Sequence, residues 1–395
     1  MNANNKEKRR EKHRKINKKI SFLILSIILL CLIILGLFLL FFNYTDKSSP
    51  LLFEETYAVS SELKEIIGQV DYAIYESLFQ KGVPERDISF SKVIPRHQEG
   101  YDWDFTELLI NLRGVDDAIL LEDVIYSRLS ELGPPIKVEK KKISDSERVC
   151  NVYAHGLYTH KIRLINKGQE KRYQEGPPKI AIVIDDMGYD LDLATAFMDL
   201  DLPVSLSVLP LAPRTADIVY EANRRSTELL LHLPMEPKDY PDLDPGPGAV
   251  LTNMDERWIR KTINNDIDQI PGIRGVNHHM GSRFTERPDK MKIVLRELKR
   301  RNLFYLDSRT TNLTVAYDLA KDMGVPAAKK DVFLDNDLSS KSIRFEMERL
   351  LGIARYSGIA IGIGHPHKET LDILKDYEGI LRTEFKVVPV SELVK

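Results

Sequence analysis

The clearest feature of the hydrophobic pattern is a long uncharged run near the start of the chain. Residues 20–42 form a stretch of 23 residues without a charge, and Leu and Ile dominate it. At roughly 1.5 Å of rise per residue, a helix of this length crosses the ~30 Å hydrocarbon core of a bilayer. A cleaved signal peptide is the alternative, but its apolar region spans only about 7–15 residues and ends at small residues. This run ends at Phe41 and Phe42 and is followed by Asn43 and Tyr44, which predicts a retained transmembrane helix.

The segment before this run is strongly basic. Residues 1–19 contain nine Lys or Arg residues and two Glu residues. A nucleic-acid-binding arm is one interpretation of such a cluster. The positive-inside rule favours the other, a cytoplasmic flank of the membrane helix. We therefore expect a single-pass protein of a bacterial inner membrane, with everything after Tyr44 in the periplasm or outside the cell.

Residues 51–166 show mixed periodicities that predict a small α+β domain. Helical spacing covers 57–80, where Leu63, Ile67, Val70 and Ile74 share one stripe, and it returns over 115–132. Extended patterns cover 87–95, 103–112, 135–141, 148–154 and 157–165. The histidines of this region, His97, His155 and His160, are scattered, so we interpret them as surface or packing residues. This domain has no evident chemical site, and a role in contacting an envelope protein partner is the alternative we consider.

The pattern of hydrophobic residues changes after residues 167–178. This charged segment ends in Gly-Pro-Pro and is typical of a linker. Residues 179–395 alternate between short apolar runs and helical patterns. The apolar runs are 180–184, 203–209, 228–233, 273–276, 303–306, 331–334, 358–363 and 385–390. The helical patterns are 190–200, 214–225, 255–269, 288–301, 313–323, 340–356 and 368–381. Such alternation predicts an α/β fold with a parallel sheet, either a (β/α) barrel or a doubly wound open sheet.

Composition excludes several classes of protein. The 395 residues are 29% charged and 43% hydrophobic with a formal net charge of -2, which excludes a wholly disordered chain, a collagen-like fibre and a multi-span membrane protein. The chain has two cysteines, Cys31 inside the apolar run and Cys150 outside it. That number excludes a disulfide scaffold and a zinc site built from thiolates.

Acidic, amide and histidine side chains collect where the predicted strands end. The carboxyl ends of parallel barrel strands form one rim, which is where active sites lie. Each residue also has a plainer interpretation: an Asp pair can cap a helix, and a His on an apolar strand is often a core residue. Their shared position on one rim is what predicts a site. The residues are Asp185, Asp186, His232, Glu236, Asn277, His278, His279, Asp307, Asp335, Asp337, His365 and His367.

One Asp and two His from different strands suit an open site for a divalent metal, which would polarise a carbonyl and lower the pKa of water. A neighbouring carboxylate can accept a proton from water, and a His can protonate a departing amine. In an extended segment His278 and His279 must point to opposite faces, so at most one of them enters a given site. These parts suit hydrolysis of an amide or an ester.

At these residues the sequence resembles the divergent polysaccharide deacetylase family, within the carbohydrate-esterase-type deacetylase superfamily. The resemblance covers about 178–395 and rests on several motifs in order. The motifs are Ile-Asp-Asp-Met-Gly (184–188), Leu-His-Leu-Pro-Met-Glu-Pro (231–237), Pro-Gly-Pro-Gly (245–248), Asn-His-His-Met-Gly-Ser (277–282), Leu-Asp-Ser-Arg-Thr-Thr (306–311) and Gly-Ile-Gly-His-Pro (362–366).

The resemblance implies an irregular (β/α) barrel with a metal-dependent deacetylase ancestry. Carried over residue by residue, it implies Asp185 as the catalytic base and Asp186 as a metal ligand. His365 matches the late-strand histidine that acts as general acid. We expect His232 and His279 to complete a set of ligands for a divalent metal, of which zinc is the leading choice. Asp307 is a further rim carboxylate that would orient a catalytic group.

One departure from the superfamily pattern bears on function. The superfamily takes two ligands from a single His-x-x-x-His motif, whereas His232 is followed at position 236 by Glu236. The Arg-x-Pro and Asp-x-x-x-Trp signatures also have no clear match. We therefore carry two hypotheses, a membrane-anchored metal-dependent hydrolase of a cell-envelope or extracellular polysaccharide, and a degenerate barrel that binds glycan or an envelope protein without turnover.

Overall fold

The computed structural model describes residues 61–98, 100–166 and 176–395, which belong to one compact unit. Within these ranges no helix combines the length and the apolar character needed to cross a bilayer. The predicted membrane span 20–42, its basic flank 1–19 and most of the predicted linker 167–178 lie outside the described residues.

The first part of the described chain is a five-stranded sheet with two helices on one face. The elements are α1 (Ser61–Gln80), β1 (Ile88–Gln98), β2 (Tyr101–Asn111), α2 (Val115–Glu131), β3 (Ile136–Ser144), β4 (Glu147–Ala154) and β5 (Leu157–Ile165), with strand order β1-β2-β5-β4-β3. Apolar residues at helical spacing in α1, such as Val70 and Ile74, pack against alternate strand residues such as Ile110 and Ile162. All the helices and strands predicted for this part are present, with ends displaced by a few residues.

The second part is a nine-stranded parallel sheet with helices between the strands. Its strands are β6 (Lys179–Met187), β7 (Ser205–Val208), β8 (Glu228–Met235), β9 (Gly275–Met280), β10 (Phe304–Asp307), β11 (Ala327–Lys329), β12 (Val332–Phe333), β13 (Ile359–Gly364) and β14 (Lys386–Val387). Its helices are α3 (Leu191–Met198), α4 (Thr215–Arg225), α5 (Glu256–Gln269), α6 (Pro288–Arg300), α7 (Ala316–Asp322), α8 (Ser340–Ser357) and α9 (Lys368–Glu384). Eight strands follow the order β11-β10-β9-β8-β7-β6-β13-β12, and β14 pairs with β6.

The segment 327–333 links the two edges of this sheet. Ala327 pairs with Tyr305 of β10, and Val332 pairs with Gly362 of β13. Between them, Lys330 N donates to the carbonyl of Asp307 at 3.0 Å. The expected parallel α/β architecture is therefore present as a half-barrel whose edges are joined through one stretch of chain. The short strand β11 was not anticipated because it has only three residues, Ala327, Ala328 and the exposed Lys329.

The helix ends carry the expected capping residues. Asp190, Asp255 and Ser339 each accept a hydrogen bond from a backbone N–H in the first turn of α3, α5 and α8. Gly358 closes α8 in the left-handed region, with φ 86°. These caps fix where each helix leaves the strand-end rim.

The two sheets meet where β1 packs on α8. A Cβ added at Gly352 would lie 2.5 Å from the Phe90 ring, so glycine is needed for this close approach. Nearby, Asn312 Nδ2 donates to the carbonyl of Arg96 at 3.0 Å. The two parts therefore share a packed boundary, and their autonomy as separate domains, 51–166 and 179–395, stays a prediction.

Candidate metal centre and active site

The two carboxylates at the end of β6 lie next to the same imidazole ring. The β6–β7 pairing shifts register between Ile184 and Met187, and Asp186 has φ 52°, in the left-handed region that Asp tolerates. Asp185 Oδ2 lies 3.8 Å from His232 Nδ1, and Asp186 Oδ1 lies 3.0 Å from His232 Nε2. A regular strand would point these neighbours to opposite faces, so the bulge is what aims both at the site.

The tautomer of His232 follows from its contact with Asn277, which stands opposite it in the β8–β9 register. Asn277 Nδ2 donates to both oxygens of Asp185, at 2.7 and 2.9 Å, which fixes the orientation of the amide. Asn277 Oδ1 must then accept, and it receives hydrogen bonds from Ser207 and, at 2.8 Å, from His232 Nδ1. With its proton on Nδ1, the neutral ring presents the Nε2 lone pair toward Asp186.

The adjacent histidines of β9 divide as the alternation of a strand requires. His279 Nδ1 lies 2.8 Å from Asp186 Oδ1, so this ring belongs to the site. His278 Nδ1 is instead hydrogen-bonded to the Tyr305 hydroxyl at 2.8 Å. Complete burial lowers the pKa of His278 to about 3, so it is neutral at physiological pH. Only His279 of the pair approaches Asp186.

Asp186, His232 and His279 fit a divalent cation. Each offers one ligand atom, and these atoms all lie within 4.8 Å of one another in buried positions. Bonds of about 2.0–2.2 Å in a tetrahedral site place ligand atoms about 3.4 Å apart, close to the spacings here. With the His232 proton on Nδ1, the Nε2 lone pair of that ring faces the Asp186 carboxylate at 3.0 Å. Two groups that both present lone pairs repel each other unless a cation lies between them, so the donor set suits a metal.

The pKa values of the two carboxylates are shifted in opposite directions. Burial raises the pKa of Asp185 above its usual range, against the opposing effects of His232, His365 and Asn277. Burial also acts to raise the pKa of Asp186, but His279 and His232 outweigh it and lower that pKa. Asp186 therefore has the character of an ionised ligand, and Asp185 that of a group with a greater tendency to hold a proton.

His365 is held by Asp335 at the end of β13. Asp335 Oδ1 accepts from His365 Nδ1 at 2.7 Å, and Asp335 Oδ2 accepts from the His365 backbone N–H and the Thr370 hydroxyl, both at 2.6 Å. The β13–β6 register pairs Gly364 with Ile184, which brings His365 beside Asp185. Burial acts to raise the pKa of Asp335, but His365 outweighs it and lowers that pKa. The ionised Asp335 orients the imidazole.

Two further rim carboxylates have hydrogen bonds to loops. The Asp307 oxygens accept from Arg309 N, Thr314 Oγ1 and Tyr317 N, which organises the loop before α7, and its expected role of orienting a catalytic group stays a prediction. Glu236, at the position where the superfamily has its second histidine, accepts from Arg283 Nη1 at 2.7 Å and from Thr252 N. Glu236 thus anchors the loop 236–252 and lies outside the candidate ligand set.

Asn277, Ser207 and Asp335 were not assigned roles from the sequence. Asn277 opens the Asn-His-His motif and Asp335 ends a predicted strand, so both positions stood on the rim. Their contacts depend on strand order and register, which the sequence pattern does not encode.

Comparisons with known proteins agree with this geometry. The sequence profile described as divergent polysaccharide deacetylase matches residues 182–394. YibQ of Escherichia coli strain K12 is 34% identical over 216 residues, which is 55% of this chain and 67% of that protein. A protein of Haemophilus influenzae is 32% identical over 215 residues, 54% of this chain and 76% of that protein.

Among solved structures, ATU2773 from Agrobacterium tumefaciens C58 superposes with a TM-score of 0.53 and 25% sequence identity, covering 57% of this chain and 92% of that one. The matched region holds β6 through β14 and every residue of the candidate metal centre. The resemblance inferred from the motifs is confirmed, and the chain belongs to the divergent polysaccharide deacetylase family.

Proposed function

We propose that the chain is a metal-dependent hydrolase that removes acetyl groups from a cell-envelope or extracellular polysaccharide. The observation that supports this is the convergence of Asp186, His232 and His279 on the strand-end rim that also carries Asp185 and His365. Two imidazole nitrogens and one carboxylate oxygen suit zinc, which when bound would act as a Lewis acid and lower the pKa of water.

Asp185 is the proposed general base. Its carboxylate is buried, and the amide of Asn277 fixes its orientation by two hydrogen bonds. Burial raises its pKa, which makes it a better proton acceptor than an exposed carboxylate. Asp185 would accept a proton from the attacking water while Asn277 holds both oxygens in place.

His365 is the proposed general acid. Because Asp335 occupies Nδ1, Nε2 is the atom that can give a proton to the departing amine. The negative charge of Asp335 would stabilise the protonated imidazole and hold the ring plane, with Thr370 fixing the carboxylate in turn. Asp335 is thus a positioning residue.

A second candidate function is glycan binding without turnover. It is favoured by Glu236, whose carboxylate is bonded to Arg283 and Thr252 at the position of the missing superfamily histidine. We further propose that residues 20–42 anchor the chain in a bacterial inner membrane with the described residues in the periplasm or outside.

The deciding experiment combines metal analysis with acetate release. The purified chain is assayed for bound zinc and for acetate released from acetylated oligosaccharides, beside Asp185→Asn and a control, the exposed Asp268→Asn. We expect about one metal per chain in all three proteins and a loss of at least 100-fold in rate for Asp185→Asn alone. Metal-free protein, or equal rates for parent and Asp185→Asn, would remove the hydrolase proposal and leave glycan binding.

A further inference from the structure

A large cavity lies between α1 and α8, apart from the candidate metal centre. Its volume is about 1200 Å³, above the roughly 300–1,000 Å³ of typical small-molecule sites. Among its described lining residues none belongs to the set of Asp185, Asp186, His232, His279 and His365. The cavity has space for an oligomer.

Aromatic rings dominate the apolar part of its wall. They are Tyr72, Tyr75, Phe79, Trp103, Phe345 and Tyr377. The most exposed of these rings are Phe79, which is 83% exposed, and Tyr72, which is 40% exposed and has Lys341 Nζ over its ring. Flat aromatic faces pack against the C–H faces of sugar rings, which are also flat and weakly apolar.

Several rings are held in place by neighbouring side chains. The Tyr377 hydroxyl donates to Glu348 Oε1 at 2.7 Å, and the Tyr72 hydroxyl donates to Glu76. Tyr75 and Phe345 meet edge to face, with centroids 5.8 Å apart. Rings that are already ordered lose little conformational entropy when a ligand stacks on them.

One charged group of the wall, Arg349, has long contacts to its neighbours, including 3.5 Å from Nη2 to Thr106 Oγ1. Arg349 Nη2 lies 3.7 Å from Asp104 Oδ2, and Arg349 Nη1 lies 3.5 Å from Glu346 Oε2. Arg349 Nε has no hydrogen-bond partner among the described residues. Guanidinium N–H donors with such long contacts can also donate to the hydroxyl or acetamido oxygens of a ligand. A purely apolar ligand such as a lipid chain would leave them unpaired.

The cavity reaches the strand-end rim at one end. Asn336 and Asp337 line it, and they directly follow Asp335, the residue that holds His365. The opposite wall comes from residues 64–106, which precede the region 182–394 shared with the family. The cavity is therefore built jointly by the two sheets and their helices.

We propose that this cavity binds a segment of an N-acetylated amino-sugar chain, as a second carbohydrate site beside the catalytic rim. The inference rests on the proposed function for its choice of sugar. A long substrate would bind in both places, so the cavity would favour polymers over single sugars.

The test is a binding experiment on the full chain with chelator present, so that hydrolysis cannot occur. The probes are a hexamer of β-1,4-linked N-acetylglucosamine, the free monosaccharide and a peptidoglycan stem peptide. The double variant Tyr72→Ala/Phe79→Ala removes two exposed rings, and Tyr220→Ala removes a ring that is 68% exposed on α4, outside the cavity. Thermal unfolding verifies that each variant folds like the parent.

We expect the double variant to bind the hexamer at least tenfold more weakly, with Tyr220→Ala matching the parent and the monosaccharide showing no difference. In a separate assay without chelator, the double variant should have a lower kcat/KM than the parent on the hexamer and the same kcat/KM as the parent on the monosaccharide. Equal hexamer affinity in variant and parent, no hexamer binding by the parent, or preference for the stem peptide would overturn the inference. If no form hydrolyses anything, the proposed function fails, while the hexamer affinities still decide whether the cavity binds glycan.

Discussion

Asn277 Oδ1 accepts a hydrogen bond from His232 Nδ1 at 2.8 Å, and this contact determines which nitrogen of His232 faces Asp186. The amide cannot rotate to another state, because its Nδ2 donates to both oxygens of Asp185. One side chain therefore sets the orientation of the proposed base and of a proposed metal ligand.

Replacing Asn277 should weaken metal binding before it affects folding. Asn277→Ala removes the acceptor for His232 Nδ1, and the loss of such a supporting contact typically costs 10–100-fold in metal affinity. We expect a decrease in zinc affinity of that size, measured by competition with a chromogenic chelator. Asn265→Ala, at an exposed position on α5, is the control and should match the parent. An unchanged affinity in Asn277→Ala would mean that Asn277 has no part in holding the ligand.

Replacing Asp335 should affect acid catalysis selectively. Asp335→Asn removes the charge that supports the protonated His365, so we expect a fall of about 10²–10⁴ in kcat on an N-acetyl sugar. On an acetyl ester with a good leaving group the fall should be much smaller, since that group departs without protonation. Bound metal should be unchanged, and Asp268→Asn, at an exposed position on α5, should behave like the parent. Equal losses on both substrates would contradict the general-acid role.

Asp307 should matter for stability and not for metal binding. Its buried carboxylate accepts three hydrogen bonds from the loop before α7, and removing the acceptor leaves those donors unsatisfied. We expect Asp307→Ala to lower the free energy of unfolding by about 2–5 kcal/mol, measured by urea denaturation. The folded fraction should still bind metal with the parent's affinity. Loss of metal from folded protein would show that Asp307 also supports the candidate metal centre.

Asp266 should make stability depend on pH. Burial raises the pKa of this carboxyl to about 7, and its Oδ2 has no hydrogen-bond partner among the described residues. Between pH 4 and 7 the folded state therefore binds more protons than the unfolded state, so stability falls as pH rises through that window. The expected decrease in the free energy of unfolding across this window is about 2–4 kcal/mol.

Asp266→Asn should remove most of that slope and be more stable than the parent at pH 8, as measured by urea denaturation at several pH values. The control is Asp268→Asn on the same helix, whose exposed ion pair with Arg301 contributes little. Parallel pH profiles for Asp266→Asn and the parent would show that Asp266 is not the titrating group.

The sequence pattern predicted most of the fold because buried apolar residues recur along the chain with the spacing typical of each helix or strand. The apolar residues 180–184 are almost wholly buried on both faces, and an unbroken run of this kind is typical of a central parallel strand. β11 was missed because three residues are too few to show a period. The closing segment 327–333 could not be predicted, since it depends on which strands form the edges of the sheet.

The candidate site was anticipated as a set of positions with expected roles, and the contacts among those residues were not anticipated. Asp186, His232 and His279 come together as the strand-end rule indicated, and His278 turns away as alternation required. Asp307 and Asp335 looked alike in sequence, since each ends a predicted strand. Only the register of β12 beside β13 places Asp335 against His365, while Asp307 accepts hydrogen bonds from its own loop.

The sequence by itself determined the alternation of strands and helices, the family and the rim on which chemistry-bearing residues stand. These follow from periodicity, capping and motif order, which are local properties of the chain. The tertiary structure alone decided which residues touch: the bulge that aims Asp185 and Asp186 at one ring, the amide that sets the His232 tautomer, and the cavity between α1 and α8. The cavity wall brings together residues up to 313 positions apart in the chain, Lys64 and Tyr377, and only packing places such residues around one cavity.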